Sequence, residues 1–131
     1  MAMSGGIDSS VSAALLKKQG FNVIGAFIFF EKNKSSNQNP KSCCSLEGYE
    51  SAKRIAEKIN IPLYTINFDI DFKKDVIENF IQEYQSGRTP NPCVRCNKYL
   101  KFGRLLEKAK ELNCQFVATG HYACIKKKKN N

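Results

Sequence analysis

Apolar and polar positions along this chain follow two periods, one helical and one extended. From Asp8 onward, Val11, Ala14 and Leu15 recur at helical spacing, while Met1 to Met3 ahead of them supply only the stub of a strand. "FNVIGAFIFF", ending near Phe30, is apolar on both faces and β-rich, as expected of a strand covered on either side in a parallel sheet. After a polar loop from Glu31 to about Ser45, the residues Leu46, Tyr49, Ala52, Ile55, Ala56 and Ile59 mark one helical face. Ser45 stands where it would cap that helix, and "NIP" ends it. "PLYTINF", 62–68, reads as the next strand. Phe72, Val76, Ile77, Phe80, Ile81 and Tyr84 form a third helical face, which stops at Gly87 and a run of prolines. A helix from about Asn97 or Lys98 is expected to bury Leu105, Leu106, Ala109 and Leu112. "QFVATG", 115–120, is then a short strand leading to His121 and Tyr122.

Alternating strands and helices predict an α/β fold: a doubly wound parallel sheet with helices on both faces and right-handed crossovers, its first strand cut short. Sheets of this kind bind ligands beyond the carboxyl ends of their strands. "SGGIDSS", "TPNPCVRCN" and "TGHYA" are therefore expected along one edge. The pattern predicts one domain over 1–125 and a disordered lysine-rich tail over 126–131, with no internal repeat.

Composition refines this picture. With 131 residues, 42% hydrophobic and 25% charged, the chain is long enough for a continuous core. The longest apolar run, "VIGAFIFF", is too short to span a bilayer, and no secretory signal is evident. A soluble, cytoplasmic protein with no membrane partner is expected. The six cysteines, Cys43, Cys44, Cys93, Cys96, Cys114 and Cys124, lie among segments that can build a core without staples, so they read as reduced thiols. The whole net charge of +9 falls in residues 86–131. A polyanion such as RNA fits that distribution through counterion release; a solvated helix face plus a lysine tail is the plainer alternative.

"SGGIDSS" joins the strand stub to the first helix. Unpaired N–H groups and the helix dipole favour a phosphate there, two glycines let the chain approach it, and Ser4, Ser9 and Ser10 add hydroxyls. No lysine stands where a GxxxxGK[ST] loop would need one. An ordinary glycine turn opening a helix is the competing reading.

Four readings compete for Cys93 and Cys96. A closed zinc site lacks an evident second pair, an iron–sulfur cluster lacks an identified third ligand, and a thioredoxin-like pair would follow a strand. A nucleophile remains. Cys96, placed just before the expected helix start at Asn97 and near Arg95 and Lys98, would be favoured as thiolate. Cys114 and Cys124 suit buried or idle thiols, whereas Cys43 and Cys44 stay ambiguous. His121, the chain's one histidine, suits acid–base work or a phosphate contact, or is simply hydrogen-bonded structure.

Ser-Gly-Gly-x-Asp-Ser after a strand resembles the signature of the N-type ATP pyrophosphatases, with their adenine nucleotide alpha hydrolase-like fold. Together, "AMSGGIDSSVSAALL", "CCSLEGYESAKRIAEKINIPLYTINF", "GRTPNPCVRCNKYLKFGRLLEKA" and "VATGHYA" resemble the N-terminal part of the tRNA-specific 2-thiouridylase family over nearly the whole chain up to Ala123. That resemblance implies that ATP adenylylates the C2 oxygen of a wobble uridine and that a cysteine persulfide then delivers sulfur, releasing AMP and pyrophosphate. It places ATP at Ala2, Met3, Ser4, Gly5, Gly6, Ile7, Asp8, Ser9, Ile28 and Gly120, with Mg2+ accompanying it. It places the target base at Asn91, Pro92 and Cys93, the nucleophile at Cys96 and a tRNA contact at His121. The implied partners are tRNA and a persulfide sulfur donor protein.

Cys93 stands where many members have aspartate, and the second catalytic cysteine and tRNA-gripping domains have no counterpart here. A fragment unable to complete thiolation alone is therefore expected. The alternatives are an iron–sulfur-dependent tRNA thiolase with its cluster at Cys93 and Cys96, and a non-enzymatic zinc-stabilised RNA-binding module.

Overall fold

A computed structural model describes residues 1–29 and 45–124. Cys43 and Cys44, the polar loop before Ser45 and the lysine-rich tail lie outside the described residues. The sheet is built on two parallel strands, β1 (Gly25–Phe29) and β2 (Leu63–Asn67), with Gly25 opposite Leu63 and Phe29 opposite Asn67. Residues 1–3 run along the other side of β1. They form a single parallel bridge, Ala2 to Ala26, in which Ala26 N–H donates to Met1 O and Met3 N–H donates to Ala26 O, each at 2.8 Å. Ala2 N–H in turn donates to Ala118 O at 2.8 Å. The strand expected over 115–120 does not form: a single backbone bond ties Ala118 to segment 1–3, too little pairing to make a strand.

Side chains alternate between two cores, as strand pleating requires. On one face Met3 and Phe27 pack with Ala13, Ala52 and Ala56, and Leu63 joins them. On the other, Ala26 and Ile66 pack with Val76, Leu100 and Leu105, flanked by Ala2 and Ile28. Helices therefore cover both faces of the sheet, and the doubly wound α/β expectation holds.

Helix α1 (Ile7–Lys18) forms where expected, but it turns a different face inward. Ser9 and Ala13 are buried, whereas Val11 and Leu15 stay about half exposed at 51% and 52%. Small side chains let this helix lie close to the sheet, and its larger apolar residues are carried to the outer side. Helix α2 (Leu46–Lys58) starts at Ser45 as predicted, the Ser45 hydroxyl accepting from Gly48 N–H at 3.1 Å. Ala52 and Ala56 are buried, while Leu46 is exposed.

The third expected helix is composite. Helix α3 (Asp69–Phe72) passes through a π-wound turn, Lys73–Ile77, into α4 (Glu78–Gln85). The wider turn shifts the apolar register, so Val76 is buried and Ile77, Ile81 and Tyr84 are exposed. A Schellman cap ends it: Arg88 N–H donates to Glu83 O and Gly87 N–H to Tyr84 O, with Gly87 at φ +71°.

The fourth helix begins at Pro92, not at Asn97. Asn91 caps it, its Oδ1 accepting from Cys93 N–H at 3.1 Å and Val94 N–H at 3.2 Å, and Pro92 takes the first helical position, where no N–H is needed. Helix α5 (Pro92–Arg95) runs on through a π-wound segment, Cys96–Arg104, into α6 (Leu105–Glu111). Leu100 and Leu105 are buried; Leu106 and Leu112, expected inside, are exposed. Arg104 reaches Asp71 and Glu107 at 2.9 Å each, and Arg95 Nε donates to Asp75 O at 2.9 Å, tying this helix to the 69–85 helix.

Candidate functional site: a cavity at the carboxyl end of the sheet

Segment 1–3 leads directly into the glycine loop, and Gly5 bends it with φ +80°. A Cβ on Gly5 would collide with Gly48 O, so the loop presses against the first turn of α2, where Ser51 Oγ also donates to Gly5 O at 2.9 Å. Within the loop Ser4 N–H donates to Ser9 Oγ at 3.3 Å, and the Ser9 and Ser10 hydroxyls donate to Gly6 O at 3.0 and 2.8 Å. No side chain caps α1 at Gly6. Its first-turn N–H groups keep their anion-binding character.

The turn after residue 118 closes over this loop. A Cβ on Gly120 would fall 2.6 Å from Ser9 N and 2.9 Å from the Asp8 carbonyl carbon, so only glycine permits the approach. Between the two turns lies a cavity of about 210 Å³. Ala2, Met3, Ser4, Gly6, Asp8 and Ser9 line it from the first strand and loop, Ile28 and Ala26 from β1, and Gly120 and His121 from the closing turn.

Most residues expected at the nucleotide therefore meet in one place. Ile7 points away and is 81% exposed, and Gly5 shapes the loop from outside the cavity. Thr119 and Lys101 also line the cavity, and the sequence did not single them out. Thr119 Oγ1 is 3.0 Å from His121 Nδ1, and the His121 ring packs on Phe102 with centroids 5.4 Å apart. Tyr122 Oη donates to Asp8 Oδ1 at 2.9 Å. That bond, with the Asp8 charge beside it, raises the Tyr122 pKa, because ionisation would lose the bond and set two anions together.

A larger cavity, about 550 Å³, opens at the other end of segment 1–3, among Met1, Leu16, Phe21, Val23, Leu112 and Phe116. It lies at the amino ends of the strands and carries no phosphate-binding turn. Doubly wound sheets place ligands at the carboxyl end, which favours the smaller site.

The cysteine loop lies beside this cavity without lining it. Cys93 is exposed in the first turn of α5, where the helix dipole acts most strongly. Cys96, expected at a helix start, sits a full turn further in, half-buried against the core of Ala26, Ile66 and Leu100. The cations beside it are also engaged elsewhere: Arg95 lies 4.8 Å and Lys98 5.0 Å from the Tyr99 ring centroid. Asn91 is committed to capping. Cys114 is half-buried, and Cys124 is exposed, not buried. Cys93 and Cys96 share one helix side at i, i+3. Among the described residues no group of three or more His, Cys, Asp or Glu could hold a metal ion. No helix among them is long and apolar enough to cross a membrane.

A parallel sheet covered by helices on both faces, with a glycine turn and an open helix N-terminus at its carboxyl end, defines a nucleotide-binding α/β domain. Over residues 1–131 the chain matches the family described as "tRNA methyl transferase HUP domain", and it belongs to that family. It is similar to the tRNA-specific 2-thiouridylase MnmA of Clostridium botulinum (strain Alaska E43 / Type E3), 54% identical over 98% of this chain and 36% of the relative. The MnmA of Symbiobacterium thermophilum is 52% identical over 95% of this chain and 33% of its own length. This chain thus spans about a third of these curated relatives. Among solved structures, NMN synthetase from Francisella tularensis superposes with a TM-score of 0.55 at 26% identity, covering 86% of this chain and 41% of that one.

Proposed function

We propose that this chain carries the ATP-binding and sulfur-delivering part of a tRNA-uridine 2-sulfurtransferase. The observation that carries the reading is the closure of the Gly120 turn onto the glycine loop. It forms a cavity in which backbone donors from Gly6 to Ser9 face a turn that tolerates no side chain. Backbone N–H groups of this kind suit a phosphate chain, while Met3, Ala26 and Ile28 offer apolar surface to a nucleoside.

In this reading ATP transfers its adenylyl group to the C2 oxygen of the wobble uridine and releases pyrophosphate. The terminal sulfur of a persulfide on Cys96 then attacks C2, and AMP leaves with the oxygen. A second thiol finally attacks the Cys96 sulfur, forming a disulfide and leaving sulfur on the base. Asn91, Pro92 and Cys93 would present the base, and His121 would contact the tRNA. Asp8 is, among the described residues, the one carboxylate lining the cavity and would hold Mg2+, which offsets phosphate charge when it enters with ATP. Relatives named tRNA-specific 2-thiouridylase, 50–54% identical, support the assignment, as does the basic character of residues 86–131. The partners are tRNA and a persulfide donor protein, in the cytoplasm.

Calorimetric titration of the chain and its Asp8→Ala variant with MgATP tests this reading, together with tRNA binding across a salt series. Binding by the parent, weakened in the variant, and a steep salt slope for tRNA are expected. A folded chain without ATP affinity would refute it.

A further inference from the structure

We infer that Lys101 holds the phosphate chain of the nucleotide, supplying from the cysteine-bearing helix the cation that the glycine loop lacks. The inference rests on the ATP reading above and adds a residue to that site. Among the described residues Lys101 is the only Lys or Arg lining the cavity, and it comes from the cysteine-bearing helix, not from the glycine loop or α1. A triphosphate brings several negative charges next to Asp8, which is itself acidic. Backbone N–H dipoles then need a full positive charge nearby, as Walker-type loops obtain from their own lysine.

The neighbouring cations on the same helix are already engaged. Arg95 donates to Asp75 O and lies over Tyr99, Lys98 also lies over Tyr99, Arg104 pairs with Asp71 and Glu107, and Lys108 pairs with Glu111. Lys101, partly buried, has no carboxylate partner among the described residues. A partly desolvated ammonium beside a phosphate-binding turn is stabilised when an anion occupies the cavity.

Two features fix its direction. The backbone from Cys96 to Arg104 is π-wound, so residue i lies over residue i+5, which stacks Lys101 one turn above Cys96. The next residue, Phe102, packs on the His121 ring at 5.4 Å, fastening this turn of helix to the turn that closes the cavity. Lys101 thereby lines the nucleotide cavity from the same stretch of helix that carries the candidate sulfur-bearing thiol. There its charge also offsets the negative charge that develops on the departing pyrophosphate.

The test compares K101Q and K101R with the parent chain, each confirmed folded by circular dichroism, in titrations with MgATP and with adenosine. K101Q should weaken ATP binding by about tenfold or more and adenosine binding by less than about twofold, with K101R recovering most of the loss. Unchanged ATP affinity in K101Q, or equal losses for ATP and adenosine, would overturn the inference while leaving the parent's ATP binding to support the site itself. No ATP binding by the parent would overturn both. Should K101Q not fold, competition in the parent decides: displacement of ATP by inorganic pyrophosphate supports the role, and displacement by adenosine alone overturns it.

Discussion

The glycine-loop cavity and the cysteine-bearing helix stand side by side but are built by different means. The cavity is made by backbone approaching backbone: Gly5 against Gly48, and Gly120 against Ser9, each at a distance where a Cβ would collide. The helix is made by side chains and winding. Asn91 caps it, Arg95 and Arg104 tie it down, and a π segment sets which residues stack above Cys96. The contrast teaches where each region is vulnerable. The first has no tolerance for added atoms, and the second responds in steps to the loss of individual contacts.

Gly120→Ala should show the largest effect. The added methyl would meet Ser9 N at 2.6 Å, and neither backbone can yield without opening the cavity. We expect a loss of about 2–4 kcal/mol in urea unfolding together with loss of nucleotide affinity. An alanine variant with parent-like stability and ATP affinity would break the claim that backbone contact builds the site.

The cysteines sharpen the comparison from the other side. Cys93 is exposed at the dipole end of its helix and Cys96 is half-buried a turn away, so Cys93 should alkylate on the order of tenfold faster in the resting chain, as peptide mass spectrometry would reveal. Faster modification of Cys96 would contradict the placement of the helix start at Pro92.

Ser45→Ala removes the acceptor for Gly48 N–H and should cost about 1 kcal/mol, read as a small fall in the denaturation midpoint. The smallest effect concerns Tyr122. Its phenol pKa is raised by the bond to Asp8, so the contribution of this contact is present below the ordinary tyrosine range and disappears as pH climbs through the raised folded value. Spectrophotometric titration should place Tyr122 above the ordinary tyrosine range, and Asp8→Asn should bring it down. An unmoved titration would remove this contact from the account.

The strands ending near Phe30 and Phe68, the glycine turn and the Ser45 cap were legible because each rests on local chemistry: apolar β-rich runs, paired glycines, and a hydroxyl before an apolar run. The helix start was misplaced because prolines at 90 and 92 read as a loop, although Pro92 behind Asn91 is a favourable first helical residue. The buried face of α1 was misread because Ser9 and Ala13, not Val11 and Leu15, meet the sheet. Hydropathy does not report a close approach that needs small side chains. The π turns at 73–77 and 96–104 displaced the apolar register further along, and no residue pattern announces such a turn. Lys101 is not legible in the sequence for a related reason. In a chain rich in lysine, only the winding of its helix and the Phe102–His121 contact distinguish it.

Amide hydrogen exchange with and without MgATP tests the central claim most directly, because it reads both turns of the cavity in one measurement. Slowed exchange in Ser4–Ser9 and in Thr119–His121 together is the predicted result. Protection absent from both turns, or confined to the larger cavity around Leu16, Phe21 and Leu112, would contradict it.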